Sequence, residues 1–74
     1  MQRKTFMCLD THKQLVYVEA ESREIILREL PGYRILRRAL SHVQPSNQQD
    51  KFSLVHQLRD IKVWTELFDD ELPW

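Results

Sequence analysis

Apolar and polar residues alternate near the start of the chain, and then the period changes. Residues 3–9 read Arg-Lys-Thr-Phe-Met-Cys-Leu and residues 14–20 read Gln-Leu-Val-Tyr-Val-Glu-Ala. Both runs are rich in aromatic and β-branched residues, and Asp10-Thr11-His12-Lys13 separates them. The pattern predicts an antiparallel hairpin with a four-residue connection. In the second run Leu15, Tyr17 and Glu19 share one parity, Val16, Val18 and Ala20 the other. Behind Ser22 as N-cap, Ile25, Ile26, Leu27 and Leu30 form a stripe at helical spacing, which Pro31-Gly32 ends.

Two further helices are predicted downstream. Over 33–43, Tyr33, Leu36, Ala39 or Leu40, and Val43 fit a helical stripe, with Arg34, Arg37, Arg38 and Ser41 on the polar side. A strand with Tyr33, Ile35 and Val43 on one parity is the alternative. Gln44 to Gln49 is a polar connection containing Pro45 and the one internal break the sequence suggests. From Asp50, the residues Leu54, Leu58, Ile61, Trp64 and Phe68 recur at steps of three or four, predicting an amphipathic helix to about residue 67. The expected fold is α+β: an N-terminal antiparallel β-hairpin packed against two or three helices. One small domain over 1–67 would then carry an acidic C-terminal tail, 68–74. A two-stranded sheet is marginal alone, so either the helices cover it or a second subunit completes it as a homodimer.

Composition narrows the function. The chain has 74 residues, 30% charged and 42% hydrophobic, a mixture that suits one small folded domain and contains no stretch long enough for a membrane span. No signal peptide is evident, and the single Cys8 has no internal disulfide partner, so a reducing cytoplasm is expected. A core this small supplies little scaffold for a catalytic cleft, and no catalytic residue or cofactor is assigned. Cys8 lies in an apolar strand, where a buried, inert thiol is expected. His12, His42 and His56 lack the clustered spacing of a zinc site and are read as surface or half-buried side chains, so no metal is expected. With Gly32 the only glycine, there is no phosphate-cradling loop.

Eleven basic and eleven acidic residues give zero net charge, yet they are unevenly placed. Residues 1–45 carry eight basic against five acidic residues, and residues 46–74 three against six. Arg34, Arg37 and Arg38, on a predicted helix face, could contact successive phosphates. The same three could equally form a solvated face, with Glu24 and Glu29 near in sequence.

The most specific signal is the last seven residues, Phe68-Asp69-Asp70-Glu71-Leu72-Pro73-Trp74. They resemble the C-terminal tip of bacterial single-stranded DNA-binding proteins, which ends in acidic residues, an aliphatic residue, proline and phenylalanine. Phe68 matches an upstream aromatic seen in some members, and Asp69, Asp70 and Glu71 match the acidic triplet. Leu72 and Pro73 match the aliphatic residue and the proline. Trp74 stands where the family has phenylalanine, and the family's long Gly/Gln/Pro-rich linker is absent. The body, with two evident strands, does not resemble that family's five-stranded oligonucleotide-binding barrel.

The resemblance implies docking on the exonucleases, helicases, restart and recombination proteins that read such a tip. Acidic residues draw the segment to a basic patch, and Pro73 limits the entropy lost on docking. The final aromatic would fill an apolar hole while a free carboxylate accepts an arginine. The leading expectation is therefore a non-enzymatic accessory protein of DNA replication, recombination or repair. As a tail mimic it would recruit or compete for those readers, and competition would suit a phage or mobile element. A direct nucleic-acid binder using Arg34, Arg37 and Arg38 is the second reading. A partner-binding regulator such as an antitoxin, filling a groove with the 50–68 helix, is the third.

Overall fold

The structure, a computed structural model, describes residues 3–67. The predicted hairpin is present: β1 (Lys4–Leu9) pairs antiparallel with β2 (Leu15–Ala20), Phe6 opposite Val18 and Cys8 opposite Val16. Its turn is organised by Asp10, whose carboxylate accepts from the backbone N–H groups of His12 (2.8 Å) and Gln14 (2.9 Å). These backbone donors, Gln14 foremost, hold the Asp10 carboxyl below its ordinary range.

The first predicted helix is also present, as α1 (Arg23–Glu29), with the Ser22 hydroxyl accepting from Ile25 N–H at 3.4 Å. Gly32 ends this stretch at φ +94°, a conformation that disfavours side chains; a Cβ there would also lie 3.0 Å from the Thr11 methyl.

The other two helices are corrected to strands. Residues 34–38 form β3 (Arg34–Arg38), and 52–66 form a hairpin of β4 (Phe52–Leu58) and β5 (Ile61–Glu66). The five strands make one antiparallel sheet in the order β3-β1-β2-β5-β4, with α1 the only α-helix among the described residues. The expected hairpin against two or three helices is therefore overturned. So is the two-strand count, although this sheet is open, with β3 and β4 at opposite edges. The sheet runs on both sides of residues 44–49, where a single 3₁₀ turn, Pro45–Asn47, lies within the connection from β3 to β4. Among the described residues no helix is long and apolar enough to cross a membrane.

One sheet face meets α1. Phe6, Cys8, Val16, Val18, Ala20, Ile61 and Val63 pack there with Ile26 and Leu30, flanked by Ile25, Tyr33, Ile35 and Leu58. Burial pushes the Cys8 thiol up to about 11, as expected for an inert buried sulfur. The opposite face holds a smaller cluster in which Tyr17 meets Phe52 edge-to-face at 5.2 Å beside buried Trp64.

The two-residue turn of the β4–β5 hairpin places Arg59 at φ 55°. That region crowds an L side chain against its own backbone, at about 1–2 kcal/mol. Arg59→Gly is expected to stabilise the domain by about 0.5–1 kcal/mol, because glycine's greater unfolded-state entropy cancels part of the relief. Thermal unfolding by circular dichroism should show the midpoint rising by a few degrees.

Candidate functional site

The arginine triplet lies on an edge strand, not on a helix. Among the described residues β3 pairs with β1 alone, and its register slips between Met7 and Cys8, leaving Leu36 as an extra, exposed residue. Directly opposed residues share a face, so the bulge divides the arginines. Arg34, opposite Leu9, and Arg37, opposite Met7, belong to the face away from α1. Arg38, opposite Phe6, belongs to the helix-covered face. The expectation of three arginines on one helix face is corrected accordingly.

The structure instead gathers Arg38 with cations that sequence spacing does not connect. A groove of about 350 Å³ runs between α1 and β3, bordered by Lys4, Arg23, Arg37 and Arg38 and by one acidic residue, Glu24. Phe6, Ile35 and Leu36 supply its apolar lining. A second depression of about 230 Å³ shares Lys4 and Arg38 with the first and extends past Arg3 to Ser41 and Gln44. Among the described residues the ion pairs are Arg3–Asp60 at 3.8 Å and Arg28–Glu29 at 3.3 Å. Neither engages Lys4, Arg23, Arg37 or Arg38.

On the face away from α1, Arg37 is close enough to Tyr17 to influence its phenol. Burial raises the Tyr17 hydroxyl above its ordinary range, Glu66 adds to this, and Arg37 opposes it. Apolar Leu15 is 41% exposed on the same face.

Sequence reading missed Glu19, which is 5% exposed. Its Oε2 accepts from the backbone N–H of Ser46 (3.2 Å) and from the Ser46 hydroxyl, and its Oε1 accepts from Trp64 Nε1–H at 3.0 Å. This carboxylate ties the β3–β4 connection to the centre of the sheet. The one available signal was a lone acid within the otherwise apolar run Leu15 to Ala20. With both oxygens occupied by structural donors, Glu19 is not placed for acid–base chemistry.

His12, His42 and His56 are exposed, and the described residues contain no cluster of three or more His, Cys, Asp or Glu able to hold a metal ion. The tail residues Phe68, Asp69, Asp70, Glu71, Leu72, Pro73 and Trp74 lie outside the described residues. No protein-family model, curated protein or solved structure matches the chain.

Proposed function

We propose that the chain is a non-enzymatic, cytoplasmic accessory protein of DNA replication, recombination or repair. Its segment 68–74 would dock on proteins that read the tip of single-stranded DNA-binding proteins. The supporting observation is the run Asp69-Asp70-Glu71-Leu72-Pro73-Trp74, three acids followed by aliphatic, proline and aromatic residues. Each element has a task at a reader's surface. The acids accelerate encounter with a basic patch, Pro73 pre-sets the backbone, and Trp74 supplies the apolar area of a binding hot spot.

The test is displacement of a labelled tip peptide from a tail-reading exonuclease, followed by fluorescence polarisation. The full chain is expected to displace the peptide, and a variant lacking Pro73 and Trp74 to compete at least about tenfold less well, as for loss of an interface hot spot. Competition should weaken as salt rises, because the acidic triplet acts through screened charge. Equal competition by both forms, or none by either, would reject the proposal.

A further inference from the structure

We propose that the basic track formed by the two depressions around Arg38 and Lys4 binds the phosphodiester backbone of single-stranded nucleic acid. This site is separate from the segment 68–74 and does not depend on the function proposed for it. The two depressions share Lys4 and Arg38, so they form one path rather than two pockets. Arg23 borders it from α1 and Arg3 lies at the other end, so that with Lys4 and Arg38 four cations line it against the single acid Glu24 among the described residues. Arg37 adjoins the first depression from a β3 position that belongs to the opposite face.

Lys4, Arg23, Arg37 and Arg38 have no ion-pair partner among the described residues, and Arg3 reaches only the exposed Asp60 at 3.8 Å. A row of like charges without partners is costly unless a polyanion neutralises it, and release of that polyanion's counterions drives binding. Arginine also matches phosphate geometry with two parallel N–H donors.

The shape selects among polyanions. The cations line a concave path beside apolar side chains, which suits a single strand, whereas duplex recognition relies on an element that protrudes into a groove. An acidic peptide would present carboxylates interrupted by side chains needing their own pockets, whereas Phe6 and Ile35 are largely covered and the exposed Leu36 and Leu40 lie in separate depressions. Among the described residues the track contains no exposed aromatic ring for base stacking, so binding should follow the backbone and tolerate any base sequence.

The experiment is fluorescence anisotropy of a labelled twenty-nucleotide oligo-dT with the full chain, repeated from about 50 to 200 mM salt. With three to four phosphates neutralised, the affinity should fall with a logarithmic slope of roughly −2 to −3. The double reversal R23E/R38E should weaken binding at least about tenfold and make the slope shallower by about 1.4, two phosphate contacts being lost. K51E, an exposed reversal beside the opposite sheet edge, should change affinity by less than about threefold, the residual effect of net charge. Circular dichroism melts of all variants establish that each remains folded.

Removal of Pro73 and Trp74 should leave oligonucleotide binding in place, which separates this site from the tail. No binding by the parent chain, or equal losses in K51E and a folded R23E/R38E, would overturn the assignment. Displacement of oligo-dT by poly-glutamate at equal charge concentration would overturn the ligand class.

Discussion

Ile26→Ala is expected to remove at least about a third of the domain's stability. Ile26 is fully buried and is the only buried residue within α1. A seven-residue helix does not hold its shape in water by hydrogen bonding alone, so its order comes from docking this side chain into the sheet. Truncation to alanine loses the transfer energy of three carbons and opens a cavity among Val16, Val18, Ile61 and their neighbours, about 3–4 kcal/mol together. A domain of this length has about 4–11 kcal/mol in total, at roughly 0.05–0.15 kcal/mol per residue.

Urea unfolding followed by far-ultraviolet circular dichroism should show the midpoint falling by about 2–3 M. Leu27→Ala provides the internal comparison. It is the same type of truncation on the same helix, but Leu27 is 51% exposed, so a cost below about 1 kcal/mol is expected. A cost below about 1 kcal/mol for Ile26→Ala as well would contradict the docking of α1. Loss of α1 would also remove Arg23 from the basic track, which links the core to the proposed nucleic-acid site.

The parts of this fold that were legible in sequence are those whose period runs uninterrupted. Leu15 to Ala20 alternates without a break, and Ser22 to Gly32 contains both a start and a stop signal for α1. The two segments misread as helices each contain a bulge. In β4 the register slips between Leu54 and His56, so Phe52 and Leu54 face away from α1 while Leu58 reaches the core on the other side. Three residues of one parity thus serve two faces, and the strand's period of two disappears from the sequence. Between the strands, Arg59-Asp60 carries no glycine or asparagine to mark the turn. Leu54, Leu58, Ile61 and Trp64 then fall at helical steps by coincidence.

The same effect hid the candidate site. The bulge at Leu36 sends Arg38 to the face opposite Arg34 and Arg37, and pairing with β1 brings it beside Lys4, thirty-four positions away. No local pattern connects those two residues; only the order β3-β1-β2 does. Both bulges lie on edge strands, where an irregular outline also discourages pairing with a second sheet.

Glu19→Ala should approach Ile26→Ala in cost, for a different reason. Removing the carboxylate leaves Trp64 Nε1–H and two Ser46 donors facing a vacancy on the buried side of the β3–β4 connection. Each buried donor left without an acceptor costs about 1–3 kcal/mol, so a total near 3 kcal/mol is expected. Glu19→Gln keeps the shape and one acceptor oxygen but turns an NH₂ group toward existing donors, and about 1–2 kcal/mol should be lost. Trp64→Phe removes one donor and keeps much of the ring packing. The cycle combining it with Glu19→Ala should therefore show a coupling of about 1 kcal/mol or more, the double variant being less damaged than the sum of the singles. Additive losses would mean that the carboxylate and the indole stabilise the sheet independently. Limited proteolysis supplies a readout that core packing would not move: in Glu19→Ala, cleavage within 39–51 should quicken under conditions where the sheet remains folded, because Ser46 no longer ties that connection to β2.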